Sequence, residues 1–184
     1  MHTLVREHIP HAPQMGLYVA PDVPADRLQN AIADYAPAVD PADVLALYDA
    51  TLSGNAKDGA LFTAEGFVFQ NTNLQAPQSI GYTNVVEVKA KKRWLGLGGA
   101  KVELTVNRGR ATFDLSMDFS GQPEAAPYIA RFLSEAMLHE PAAADDASTG
   151  TDVRAVEHAL QALRDEGKLA GPDYERLMRV LHDA

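Results

Sequence analysis

The residues with the clearest potential for chemistry surround the only tryptophan of the chain. This basic segment contains Lys89, Lys91, Lys92, Arg93, Trp94 and Leu95, and a glycine-rich stretch follows it. Cations beside an aromatic ring suit an anionic partner, which would be a lipid head group, a nucleic-acid strand or an acidic protein surface. The alternative is that the cations are solvated residues of a strand edge, where they oppose aggregation, and that Trp94 packs on the domain.

Histidines near the N-terminus form a second candidate. His2, His8 and His11 could approach one another and bind a divalent metal. Glu7 is the only other residue with ligand spacing nearby. The sequence therefore predicts no metal site and no cofactor.

The patterns for nucleotide binding and for nucleophilic catalysis are incomplete. The loop 53–59 lacks the Gly-Lys-Ser/Thr ending of a phosphate-binding loop, and we interpret it as a structural turn set by Asp58 and Gly59. The chain has no Gly-x-Ser-x-Gly motif. Its remaining histidines lie outside the predicted strands, at His139, His158 and His182. We therefore predict no catalytic residues, and a hydrolase is kept only as the enzyme alternative.

The composition limits the kinds of partner. The chain has 184 residues, of which 16 are basic and 25 acidic, giving a net charge of −9. This excess of acid opposes general binding to nucleic acid. Cysteine is absent, which excludes disulfides and suits a cytoplasmic protein. No apolar stretch approaches the ~20 residues that a membrane-spanning helix needs, so we expect a soluble chain.

The order of helix and strand patterns predicts a β-rich domain. Residues 1–22 are rich in proline and histidine, and we predict an extended arm. Leu28, Ile32 and Tyr35 recur at helical spacing after Pro24, which predicts a helix over 24–35. Strands are predicted at 44–49, 60–70 (two strands around Glu65-Gly66), 79–82, 84–90, 100–106 and 110–118, and a short helix capped by Asp40-Pro41 is the alternative to the first of them. Alternation in the last two predicts one solvated and one buried face, as in antiparallel sheets.

The remainder of the chain is predicted to be helical apart from a linker. Apolar residues over 123–138 predict a closing helix, and the small polar residues of 139–151 predict a linker. Two further short helices carry apolar stripes that include Val156, Leu160, Leu163, Tyr174, Leu177, Met178 and Leu181. Each helix is too short to be stable alone in water. The stripes therefore pack either on the domain, or on a second copy or a partner protein.

Two stretches resemble known families. Asp49, Thr51, Gly54, Asp58, Gly59, Thr63 and Gly66 match the spacing found in a group of uncharacterised bacterial proteins with a pleckstrin-homology-like (PH-like) barrel. Residues 160–181 are similar to the short C-terminal helical hairpin known as SHOCT, although Ala170, Gly171 and Pro172 replace its usual threonine and acids. The resemblances cover about 44–138 and 155–183, and they imply a non-catalytic barrel with a tail for oligomerisation or docking.

Together these observations predict an α+β chain built on a small antiparallel β-barrel or sandwich of PH-like type. Its parts are an arm (1–22), a barrel domain with helices at both ends (23–138), a linker (139–151) and a SHOCT-like hairpin (152–184). We expect a binding or assembly module that acts through protein–protein contacts, including self-association through the hairpin. The alternative is a peripheral membrane or anionic-lipid binder that uses residues 89–97, and no specific binding to nucleic acid is expected.

Overall fold

The computed structural model describes residues 1–92 and 99–139. Within them the helices are α1 (His2–His8), α2 (Ala25–Asp34) and α3 (Ala126–Ala136). The strands are β1 (Leu17–Val19), β2 (Ala46–Asp49), β3 (Gly59–Phe62), β4 (Gly66–Gln70), β5 (Gln78–Gly81), β6 (Val85–Lys92), β7 (Ala100–Arg108) and β8 (Ala111–Asp118). The chain divides into two units, Met1–Pro141 and Ala142–Ala184. The predicted hairpin and most of the predicted linker lie outside the described residues.

The strands form two antiparallel sheets. Sheet A contains β1 to β5 and sheet B contains β6 to β8, each in chain order. The α+β class is confirmed, but the sheets do not close into a barrel, so the barrel form of the prediction is wrong. The edge strand β8 is bonded instead by a side chain: Asn71 Nδ2 donates to the Ser116 carbonyl at 2.7 Å, and Asn71 Oδ1 accepts from the Asp118 amide at 2.8 Å.

Sheet A is buried on both of its faces. Successive residues of its central strands alternate between two apolar clusters, so that Tyr48 and Phe62 enter one cluster while Leu47 and Leu61 enter the other. The first cluster also contains residues of α1, α3 and sheet B. The second contains Ala31 and Tyr35, which cover the outer face of the sheet. Helix α2 is therefore the element that keeps sheet A from having a solvated face.

The first 22 residues are not an extended arm, which corrects the sequence prediction. They contain α1, which buries Val5, and β1, which pairs with β2 through Leu17 and Tyr48. Ile9, just after α1, is also buried. The segment is ordered because a few apolar residues join the main core, although both elements are too short to show a clear period in the sequence.

Sheet B has the predicted solvated face, but its buried face is incomplete. In β7, Val102, Leu104 and Val106 are buried while their neighbours are more exposed. In β8 only Met117 is buried, and Phe113 is 48% exposed. Of the predicted apolar face of β8, Met117 is thus buried and Leu115 partly buried, whereas Ala111 and Phe113 are exposed.

Helices α2 and α3 confirm two sequence predictions. Helix α2 begins one residue after Pro24, and α3 lies within the predicted range 123–138. Phe132 of α3 packs edge-to-face against Phe62 and Tyr82, with ring centroids 5.5 and 5.8 Å away. Among the described residues, the helices are too short or too polar to cross a bilayer.

Candidate functional site

The loop that joins β2 to β3 is organised by the carboxylate of Asp49. Asp49 ends β2 and is 2% exposed. Its Oδ1 atom accepts hydrogen bonds from the Thr51 amide at 2.9 Å and from the Thr51 hydroxyl at 2.5 Å. The first residues of the loop are therefore held to the end of the strand.

Thr51 extends this order to the far side of the loop. Its Oγ1 atom accepts from the amides of Asn55 at 2.9 Å and Ala56 at 3.3 Å. The backbone reverses there through two residues with positive φ, Gly54 at 67° and Ala56 at 54°. Two side chains of the matched PH-like motif, Asp49 and Thr51, thus shape the loop by hydrogen bonds to backbone amides.

Arg27 of α2 connects the helix to this loop. Its Nη1 atom lies 3.7 Å from Asp49 Oδ2, and its guanidinium lies over the ring of Tyr18, 4.6 Å from the centroid. A Cβ atom at Gly54 would lie only 3.2 Å from Nη2 of Arg27. Glycine at this position therefore provides both the backbone conformation and the space for the arginine. We name Arg27, Asp49 and Thr51 the loop latch.

Three buried polar atoms in this part of the molecule are unpaired within the described residues. Asp49 Oδ2 and the hydroxyls of Tyr35 and Tyr48 have no hydrogen-bond partner among the described residues. Burial raises the pKa of Tyr35 well above its ordinary value, and the charges of Asp49, Asp58 and Asp34 raise it further. Tyr35 is therefore neutral at physiological pH and cannot act as an anionic partner of Arg27.

Asp58 and Gly59 do not form the predicted two-residue hairpin turn. Gly59 is the first residue of β3, opposite Asp49, and a Cβ atom there would lie 1.9 Å from the Tyr48 carbonyl oxygen. Asp58 Oδ1 accepts a hydrogen bond from Gln70 Nε2 at 3.2 Å. Both residues thus position the end of the loop, although by close approach and side-chain bonding instead of by a tight turn.

Two leucines are almost fully exposed at this end of sheet A. Leu52, in the β2–β3 loop, is 94% exposed, and Leu74, in the β4–β5 loop, is 92% exposed. A depression of about 540 Å³ separates the two loops and is lined by Leu52 and Asn73, among others. Its polar wall includes Asp34, Lys57 and Asp58. We name this surface the loop end.

The described cations of the predicted basic segment lie on the solvated face of sheet B, beside carboxylates. Lys89 Nζ lies 2.6 Å from Glu87 Oε2, and Lys91 Nζ lies 2.5 Å from Glu103 Oε2. Lys101 Nζ lies 2.6 Å from the other oxygen of Glu103. Hydrogen bonds from Lys101 and Lys91 lower the pKa of Glu103 to about 2. Lys89 and Lys91 thus each have an acidic partner, and Lys91 shares its partner with Lys101.

Several predicted site residues lie where the structure gives no side-chain description. Lys92 ends β6 opposite Ala100, whereas Arg93, Trp94 and Leu95 lie outside the described residues. The same holds for the predicted hairpin interface, which consists of Val156, Leu160, Leu163, Tyr174, Leu177, Met178 and Leu181. The anionic-partner and hairpin hypotheses therefore stay predictions.

The N-terminal histidines are not gathered into one site. His8 is buried in α1, and His11 Nδ1 accepts a hydrogen bond from the Val19 amide at 3.4 Å. Within residues 1–92 and 99–139, no group of three or more histidine, aspartate or glutamate side chains is arranged to hold a metal ion.

Arg27, Leu52 and Leu74 were not predicted as functional residues. Arg27 gave no signal, because its contact with Asp49 joins residues far apart in the sequence. Leu52 and Leu74 did carry one, since each is a large apolar residue inside a segment of turn-forming residues. An apolar residue that a loop cannot bury is a recognisable sign of an interaction surface.

Comparisons with models of protein families, with curated proteins and with solved structures found no match for this chain.

Proposed function

We propose that this protein is a non-catalytic binding module that contacts another protein through the loop end. The observation that supports this most directly is the loop latch, which holds the exposed Leu52 on an ordered loop. A single exposed leucine is common on protein surfaces. Two leucines on neighbouring loops, one of them on a loop fixed by buried hydrogen bonds, are suited to enter apolar pockets of a partner at low entropic cost.

The charge of the surrounding segment favours a basic partner. Residues 1–84 contain three basic and nine acidic residues, a net charge of −6. Lys57, one of the three, lies 3.9 Å from Asp34 at the loop end. A partner with a positively charged rim around an apolar pocket would complement this surface.

The PH-like type of the fold is part of the same proposal. It is supported by the matched residues from Asp49 to Gly66, which include Asp49 and Thr51 of the loop latch, and by two antiparallel sheets followed by the packed helix α3. A binding role fits such a scaffold, because its connecting loops can vary without disturbing the sheets.

A quantitative pull-down tests the loop end. The full chain, the variant Leu52→Asp/Leu74→Asp and the control Leu138→Asp are compared by mass spectrometry. Leu138 is 72% exposed at the end of α3, so the control adds a charge at a similarly exposed leucine. We expect the wild type and the control to capture a partner protein that the double variant does not capture. Binding of that purified partner should weaken more than about tenfold, as for a hot spot. The same proteins retained by all three chains would contradict the proposal.

Arg27→Met tests the loop latch itself. The variant leaves the buried Asp49 without its cation, and we expect the free energy of unfolding to fall by about 1–3 kcal/mol, less than for a fully buried pair because Arg27 is partly exposed. Hydrogen exchange at the Asn55 and Ala56 amides should become faster. Arg131→Met, on the exposed face of α3, is the matched control. Unchanged exchange in the Arg27 variant would show that the loop does not depend on the latch.

A further inference from the structure

The β4–β5 loop, which carries Leu74, is bonded to sheet B at its start by one side chain. Asn71 directly follows β4. Its Nδ2 atom donates to the Ser116 carbonyl at 2.7 Å, and its Oδ1 atom accepts from the Asp118 amide at 2.8 Å. A side-chain amide that donates and accepts in this way bonds the edge of β8 as a residue of a neighbouring strand would. The loop therefore begins at a point that is fixed on the other sheet.

The end of the same loop is also bonded to sheet B. Gln78 is the first residue of β5, and its Oε1 atom accepts a hydrogen bond at 2.8 Å from Nη2 of Arg108, the last residue of β7. Within the loop, the Gln75 amide donates to the Thr72 carbonyl at 2.9 Å, which closes a turn with Leu74 at its third position. Leu74 is 92% exposed, yet it lies on a turn between two ends that both contact sheet B.

The two leucines of the loop end are held by different elements. Leu52 lies on the loop that Asp49 and Thr51 order from within sheet A, with Arg27 of α2 beside them. Leu74 lies on a loop that is ordered from sheet B. Of the two contacts of this second loop with sheet B, Asn71 provides two hydrogen bonds and Gln78 provides one. Asn71 is therefore the residue on which the position of Leu74 depends most.

We propose that Asn71 is a positioning residue of the loop end, which fixes Leu74 relative to Leu52 by binding the edge of β8. This inference rests on the proposed function, because the position of Leu74 matters for binding only if Leu74 contacts the partner. A loop that is ordered before binding avoids the entropic cost of being ordered in the complex. Both hydrogen bonds of Asn71 to β8 are exposed to solvent, so water can replace the amide and the fold survives its loss.

Nitroxide labels test the positioning without a partner, because the chain contains no cysteine to compete for the label. Full-length Leu74→Cys and Leu52→Cys each carry one label. We expect Asn71→Ala to shorten the rotational correlation time of the label at position 74 and to leave that of the label at position 52 unchanged. Asn71→Asp has the same shape but cannot donate to the Ser116 carbonyl, so it should also free the label at position 74. An unchanged label at position 74, or equal loosening at both positions, would overturn the proposal.

The affinity for the captured partner tests the role of Asn71 in binding. The probe is the purified protein that the wild type captures in the pull-down. We expect Asn71→Ala to raise its dissociation constant about three- to tenfold, less than the double leucine variant does. Asn84→Ala is the matched control, because Asn84 is an exposed asparagine in the connection that follows β5. The control should bind as the wild type does.

Comparison with Leu52→Asp/Leu74→Asp separates this inference from the proposed function. If the double leucine variant loses the partner while Asn71→Ala binds it as tightly as the wild type, Asn71 does not position the loop end and only the present inference fails. If the double leucine variant keeps the partner, the loop end is not the contact surface and both proposals fail. Loss of the partner by the double variant, with weakened binding by Asn71→Ala alone of the two asparagine variants, would support both.

Discussion

Sheets A and B meet the solvent in opposite ways, although both are antiparallel. Sheet A lies between two apolar clusters, and its central strands are buried on both faces. Sheet B buries one face and presents to solvent a second face of lysines and acids. Their strands differ accordingly in sequence, since β3 and β4 are nearly continuous apolar runs whereas β7 alternates. Continuous runs are usual in parallel sheets, and here they arise because α2 covers an antiparallel one.

The two sheets also differ in how their charges are placed. Residues 1–84 have a net charge of −6, whereas residues 85–118 contain seven basic and four acidic residues, a net charge of +3. In sheet B, Lys89, Lys91 and Lys101 lie within 2.6 Å of Glu87 or Glu103. A count of cations alone therefore overstates the potential of this surface, because Glu87 on the same strand and Glu103 on the neighbouring strand lie beside the lysines.

The largest expected effect tests whether the outer face of sheet A is a true core. Leu61→Ala removes a fully buried side chain that packs beneath α2, and we expect it to lower the free energy of unfolding by about 2–5 kcal/mol. Ser116→Ala, on the outer face of sheet B, should change it by less than about 0.5 kcal/mol. Denaturant unfolding measures both. Equal losses would mean that the two outer faces are equally buried.

Alkaline conditions should destabilise the fold. Burial raises the pKa of Tyr35, Tyr48 and Tyr82 above the ordinary value of 10.0. Their neutral forms are favoured in the folded state, so this stability is complete below pH 10 and is lost as the pH rises above it. Each tyrosine contributes up to about 1.4 kcal/mol per pH unit there.

Unfolding measured on both sides of pH ~10 checks this slope. Tyr48→Phe is the best control, because the Tyr48 hydroxyl has no hydrogen-bond partner among the described residues. The variant should be about as stable as the wild type at neutral pH and should lose about a third of the alkaline slope. An unchanged slope would mean that Tyr48 is not a source of the alkaline sensitivity.

The smallest expected effect is the dependence of stability on acidic pH and on salt, which we assign to the ion pairs of sheet B. Hydrogen bonds from Lys101 and Lys91 lower the pKa of Glu103 from 4.5 to about 2. The lowered value means that this contribution is present above pH 4.5 and is lost as the pH falls towards 2. We expect Glu103→Gln to flatten the dependence of the unfolding midpoint on pH in that window, and high salt to do the same because the pairs are exposed. A midpoint that depends on acid equally in both proteins would show that other carboxylates dominate.

Much of the strand order was predictable from the sequence, and the way the sheets meet was not. Alternation located β7 and β8, and turn residues located the connections around β3, β4 and β5. Closure into a barrel depends on whether the edges of two sheets meet, which no local pattern encodes. The burial of the outer face of sheet A was also not predictable, because the cluster that contains Tyr35 and Leu61 joins distant parts of the chain.

For the candidate site, the sequence located the β2–β3 loop but did not show which side chains the loop exposes. The matched residues Asp49, Thr51 and Gly54 marked the β2–β3 loop, and they do shape it. The basic segment drew attention because charge is visible in a sequence, whereas the contact of Lys91 with Glu103 is set by pairing between strands. Leu52 and Leu74 needed the structure, since exposure is a property of the folded chain.

A sheet that is apolar on both sides is prone to errors in the register of its strands. If β3 slipped by one residue against its neighbours, each of its apolar side chains would only exchange one apolar environment for another. The glycines at the strand starts oppose such slippage. A Cβ atom would lie 1.9 Å from the Tyr48 carbonyl oxygen at Gly59, and 2.3 Å from the Ile80 carbonyl oxygen at Gly66. A slipped strand would place a larger residue at the position of Gly59 or Gly66, where it would clash with the neighbouring carbonyl oxygen. Steric exclusion at these two positions therefore fixes the strand register, which in a half-solvated sheet is fixed by the polar side chains of one face.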